Sequence, residues 1–157
     1  MSKQKRASKK FNIKKTLIII GIVLVGAAAA YGAINSMIPV NGKVPVLGMP
    51  ENFYITAKHD TSGFIFASKS TTGGKKMPGA THPTPTIEVT KGQLASIHII
   101  NEDTTSKHNF NVDEFNVHTK DLGYYETQSI TFIADKAGTY HYHCTIHPEM
   151  NGEVLVQ

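Results

Sequence analysis

Residues 17–34 read LIIIGIVLVGAAAAYGAI, a run with no charge and no strongly polar side chain. Uncharged sequence continues around it over residues 16–42. A helix rising about 1.5 Å per residue needs roughly 20 apolar residues to cross about 30 Å of hydrocarbon. The run therefore predicts one transmembrane helix over 16–38. A cleaved signal peptide is the alternative, with 17–25 as its apolar region and an A-x-A site within 27–30; the run outlasts a typical apolar region of about 7–15 residues. Residues 39–50 (PVNGKVPVLGMP) are rich in proline and glycine and predict a linker or an irregular first strand.

Past residue 50 the period changes. Short runs of β-branched and aromatic residues alternate with polar ones between turn signals, the pattern of strands. Strands are expected at 53–57 and 64–67 around the turn Asp60-Thr61-Ser62-Gly63, and at 86–89 and 93–101 around Lys91-Gly92. Four more are expected at 109–112, 129–134, 138–144 and 153–156, with a turn somewhere in 113–122 and a mobile Gly/Pro/Thr/Lys-rich loop over 69–85. Spacing of about ten residues between strands points to an all-β domain, an antiparallel Greek-key β-sandwich or barrel of about eight strands. The predicted layout is a basic arm at 1–15, the spanning helix, the linker, and a β domain at 51–157.

Charge sharpens this layout. Lys3, Lys5, Arg6, Lys9, Lys10, Lys14 and Lys15 all precede the apolar run, and the first acid in the chain is Glu51. The net charge of +4 therefore divides into +7 on the arm and −3 beyond it, from 9 cations against 12 acids. Cations on one side of a span stay in the cytoplasm, so the β domain is expected on the extracytoplasmic side. The arm's charge suits anionic lipid headgroups. Nucleic acid is not expected as a partner, because the arm lies behind a membrane span rather than beside a folded reader.

One cysteine excludes a disulfide scaffold and any site needing two thiolates, including a dinuclear copper centre with bridging cysteines. That cysteine opens a C-x-x-H-x-x-M run, Cys144-Thr145-Ile146-His147-Pro148-Glu149-Met150, between two expected strands, and His108-Asn109 stands 36 residues upstream. A thiolate, two imidazoles and a thioether are a ligand set suited to copper, as in blue-copper sites with two His, one Cys and a weak axial Met. Zinc rarely selects a thioether, and structural zinc usually takes more than one Cys. A free thiol with an unrelated core methionine is the plain alternative, but an exported free thiol is exposed to oxidation.

The segment 138–152, GTYHYHCTIHPEMNG, resembles the copper loop of cupredoxins, most nearly the short loop of amicyanin. His108-Asn109-Phe110 resembles the strand carrying that family's first ligand, and Asp113-Glu114-Phe115-Asn116-Val117 with Thr119 resembles small membrane-anchored members. The resemblance covers about residues 85–157. It implies a cupredoxin fold, with His108, Cys144 and His147 as equatorial ligands of one type 1 copper and Met150 as the axial ligand. It also implies that Asn109 ties the first-ligand strand to the Cys loop by hydrogen bonds.

Strand alternation places Tyr140 and Tyr142 on the inner face with Cys144, and His141 and His143 outward. The outward H-x-H pair is a candidate weak second metal site. His59 and His82 are expected in solvated loops, His98 on an outer strand face, and His118 at the surface. The functional expectation is one-electron transfer with a redox partner of an extracytoplasmic electron-transfer chain. A copper enzyme acting on nitric oxide, nitrite or oxygen is the rival, because His143 precedes Cys144 as in catalytic copper proteins. The other half of that motif is missing, since Thr145 and Asp113 stand where histidines would be needed. A copper chaperone using Met37, Met49 and Met77 is a third reading, weakened by the lack of a Met cluster.

Overall fold

A computed structural model describes residues 13–69 and 84–157. By their contacts the residues fall into two units, 1–36 and 37–157.

The first unit contains helix α1, Ile13–Asn35, with no buried residue. It is the one helix among the described residues long and apolar enough to cross a membrane by length and composition. Ser36 closes its last turn through its backbone N–H to Gly32 O and its hydroxyl to Ala33 O.

The second unit has nine strands: β1 Glu51–Asp60, β2 Gly63–Ser68, β3 Ile87–Val89, β4 Leu94–Asn101, β5 Asn111–Val112, β6 Val117–His118, β7 Thr127–Ile133, β8 Gly138–His143 and β9 Asn151–Val156. They form two sheets, ordered β2-β1-β4-β7 and β3-β9-β8-β5-β6. The expected 60–63 hairpin is present: Asp60 pairs with Gly63, Asp60 Oδ1 accepts the Ser62 N–H, and Gly63 takes φ +109°. Gly92 at φ +80° turns the chain into β4, with Gln93 N–H closing on Thr90 O.

Two features depart from the sequence-based expectation, and a third adds contacts to a segment expected as linker or irregular strand. The pairs β1/β4 and β3/β9 run parallel, so the sandwich is mixed rather than wholly antiparallel. The ninth strand is β6, where only a turn was expected; its two residues are too few to show a period of two, and it pairs with β5 through Asn111↔His118 and Val112↔Val117. Residues 37–42 form no strand, yet they are tied to the domain along β7. Val40 N–H donates to Thr131 O, Asn41 Nδ2 donates to Ile133 O, and Asn41 Oδ1 accepts from Ile133 N–H. The amide side chain thus pairs with a backbone peptide as a strand residue would, on the sheet edge β7.

The core follows the alternation. Phe53, Ile55 and Ala57 of β1, Ile97 and Ile99 of β4, Phe132 of β7 and Val154 and Val156 of β9 meet between the sheets. Full burial of each such large side chain stabilises by about 1.5–3 kcal/mol. Tyr142 is fully buried, packs on Phe66 and Phe110, and donates its hydroxyl to Pro85 O at 2.7 Å. Tyr140 is half-buried against the same core.

Candidate metal centre

Three segments converge at one end of the sandwich. His108 lies just before β5 and forms a two-bond bridge with Leu122: each backbone N–H donates to the other's carbonyl, at 3.1 and 2.8 Å. Cys144 follows β8. His147 lies on the loop from Cys144 to Met150, which is closed by Cys144 N–H to Met150 O and Met150 N–H to His147 O, both 2.9 Å. These bonds wind the C-x-x-H-x-x-M segment so that Cys144 and His147 face the same space.

The donor atoms of His108, Cys144 and His147 all lie within 4.8 Å of one another. Among the described residues this is the one group of three or more His, Cys, Asp or Glu donors so placed. His108 and Cys144 are buried and His147 is half-buried. Only two buried side-chain polar atoms lack a hydrogen-bond partner among the described residues: His108 Nδ1 and His147 Nδ1. An unsatisfied buried nitrogen costs about 1–3 kcal/mol, so two in one place, beside a thiol, are what a metal site needs. Sulfur and imidazole donors with this burial fit copper. Met150 is fully buried on the same loop.

The opposite nitrogens of the two rings are satisfied. His108 Nε2 lies 2.8 Å from Asp103 Oδ2, and His147 Nε2 lies 3.2 Å from Ser106 Oγ. A carboxylate accepts only, so His108 carries its proton on Nε2 and leaves Nδ1 as a lone pair. Burial holds the His108 pKa below its ordinary value, against the opposing pull of the Asp103 hydrogen bond. For Asp103, burial acts to raise the carboxyl pKa, but hydrogen bonds from Thr105 and His108 outweigh it and hold it at about 2. Asp103 was not foreseen from the sequence. It stands five residues before His108 in a loop, and the Asn101-x-Asp103-x-Thr105 spacing of side chains that bond two residues onward was its only local signal.

Asn109 joins the two ligand segments. Its Oδ1 accepts the Thr145 N–H and Asn111 Nδ2, both at 2.8 Å, and its Nδ2 donates to Thr145 Oγ1 and Asp121 Oδ1. Phe64 of β2 covers the histidines, with its ring 4.1 Å from His147 and 5.5 Å from His108.

The remaining histidines are elsewhere. His98 is on an outer strand face, stacked on Tyr54, with both nitrogens engaged by Ser129 and Asn52. His59 is exposed at the end of β1 rather than in a loop, against Phe64. His118 is exposed in β6 and bonds Asn111 Oδ1. His82 and Met77 lie outside the described residues. His141 is exposed and lines a cavity of about 330 Å³ with Thr84, Thr86, Asn151, Gly152 and Glu153, while His143 is half-buried and does not line it.

Residues 79–156 match the family described as the cupredoxin-like domain. No curated protein sequence matches the chain. Among solved structures, a mutant of rusticyanin is similar at TM-score 0.50 and 18% identity, over 69% of this chain and 80% of that one. Reduced auracyanin from Roseiflexus castenholzii matches at TM-score 0.49 and 18% identity, over 70% of this chain and 99% of its own. A copper nitrite reductase from Nitrosomonas europaea matches at 0.49 and 22%, over 69% of this chain and 42% of that one.

Proposed function

Because this chain belongs to the cupredoxin-like domain family, we propose that it is an electron carrier built on one copper ion, held by His108, Cys144, His147 and Met150. The observation that carries the proposal is the pair of buried, partnerless Nδ1 atoms beside the Cys144 thiol. When bound, copper supplies the chemistry by accepting one electron as Cu(II) and releasing it as Cu(I). The residues supply the rest. The Cys144 thiolate and the two neutral imidazoles would form the strong donor set, and the Met150 thioether would add a weak donor. Phe64 packs on both histidine rings and His108 is fully buried, so that little rearrangement would accompany a change of charge.

Ile146 and Pro148 flank His147 and are exposed. A redox partner is proposed to dock over this face transiently, through the small interface usual for electron-transfer encounters. Orientation by the basic arm places the domain on the extracytoplasmic side, with α1 as the anchor. A carrier is favoured over an enzyme because Thr145 and Asp113 replace the histidines that a catalytic second copper would require.

Copper titration with visible absorption spectroscopy tests the reading. The expected result is one copper per chain with an intense thiolate-to-Cu(II) band, abolished by Cys144→Ser. A colourless cupric protein, or a band that survives Cys144→Ser, would overturn it. Steady turnover of nitrite, nitric oxide or oxygen would favour the enzyme instead.

A further inference from the structure

The ring nitrogens of the two histidines that face away from the donor cluster are held by unlike partners. His147 Nε2 meets a neutral hydroxyl, Ser106 Oγ, whereas His108 Nε2 meets a carboxylate that is itself out of water. Asp103 is 2% exposed and His108 is 0% exposed. The Asp103 Oδ1 atom accepts the Thr105 N–H at 2.8 Å and the Thr105 hydroxyl at 2.6 Å. Its own N–H donates to Asn101 Oδ1, and Asn101 Nδ2 donates onward to Ser106 O and Leu122 O. The Thr105 N–H and hydroxyl at Oδ1 and a proton on His108 Nε2 at Oδ2 would use both oxygens of an ionised carboxylate as acceptors. Among the described ion pairs its one partner is His108, whose ring is neutral while it serves as a ligand.

A buried carboxylate with no cation is costly. The structure offers one place for the missing positive charge, which is the metal on the far side of the His108 ring. We propose that Asp103 is a positioning residue that locks His108 with Nδ1 facing Cys144 and His147, and whose negative charge favours the cupric over the cuprous form of the centre. The proposal rests on the copper reading above and deepens it. With the Cys144 thiolate, Asp103 gives the pocket two negative charges. These match Cu(II) and exceed Cu(I) by one, so adding an electron leaves an uncompensated charge in a poorly solvated place. The imidazole carries the effect, because a hydrogen bond from its Nε2–H to an anion raises the basicity of Nδ1.

Asp103→Asn removes the charge and leaves one acceptor oxygen, for which the Thr105 donors and His108 compete. It is expected to retain the intense visible band while the ratio of Cu(II) to Cu(I) affinity falls about tenfold, equal to a rise of about 59 mV in the one-electron midpoint. Asp103→Ala removes the acceptor as well. Nitrogen NMR of the metal-free protein should then show the His108 ring as a mixture of tautomers, against a single Nε2–H form in the parent chain. Thr105→Val strips one hydrogen bond from the carboxylate, concentrates charge toward His108, and should move the midpoint the opposite way; it also serves if Asp103→Asn does not fold. A midpoint that stays put in the folded variants while the band is intact overturns the proposal. A parent chain without the band overturns the copper reading instead.

Discussion

Asn109 sits between two chain segments 36 residues apart and uses both ends of its amide. Asn109→Ala leaves the Thr145 N–H, one residue beyond Cys144, without its acceptor. Losing a part-buried hydrogen bond costs about 0.5–1.5 kcal/mol, so chemical denaturation of the metal-free protein should show a loss of that size. Copper should also dissociate faster, since the Cys loop is no longer fastened to the His108 segment. Tyr142 gives a pH test that does not involve the metal. Burial holds its hydroxyl pKa well above the ordinary value. The unfolded chain therefore loses this proton first, near pH 10. The tyrosine's contribution is complete below that pH and declines as pH rises above it. Tyr142→Phe should cost about 1 kcal/mol at neutral pH through the lost bond to Pro85 O, and should flatten the part of the alkaline fall in stability that Tyr142 causes. At this scale the residues proposed as ligands were legible in the sequence because their spacing is local: Cys144, His147 and Met150 lie within seven consecutive residues. Asp103 was not legible, because its significance arises only when a loop folds back on His108.

Among the elements, β8 and β9 meet closely at one cross-strand pair. Their register pairs Tyr142 with Gly152, and a Cβ at Gly152 would lie 2.3 Å from the Tyr142 Oη and Cζ atoms. The tyrosine ring lies over the glycine and cannot move, because Phe66 and Phe110 hold its other sides. Gly152→Ala should destabilise the domain by at least about 1–3 kcal/mol, the usual cost of overpacking, and should disturb the visible band, since Met150 is two residues away. Equal thermal midpoints and spectra for Gly152→Ala and the parent would contradict this packing. The strands themselves were legible wherever alternation ran for four or more residues. The two-residue β6 and the parallel pairing of β1 with β4 were not. Pairing partners are chosen by topology, and the side-chain period is the same in either direction.

At the scale of the whole molecule, charge and hydropathy separate the parts. Seven cations lie ahead of the apolar run 17–34 and a net of −3 lies beyond it. The full chain should sediment with membranes and resist extraction by high salt, which strips proteins held only by charge. An impermeant label should reach a C-terminal tag on intact cells and should not reach the N-terminal lysines; the reverse pattern would refute the proposed orientation. Recovery of a chain shortened by about 30 residues would identify a signal peptide instead of an anchor. The tie of Asn41 to Ile133, 92 residues away, could not be anticipated, because the composition of 39–50 names no pairing partner.

The sequence by itself determined the apolar helix, the all-β character of the domain beyond it, and the candidate donor side chains. These depend on local chemistry: a run of apolar residues, a period of two, and a thiolate, imidazoles and a thioether at short spacing. Only the tertiary structure decided which atoms of those donors are left without partners, which carboxylate backs His108, and which edge the segment after the helix covers. Each of these depends on segments distant in sequence being brought within hydrogen-bonding reach, and no local pattern carries that information.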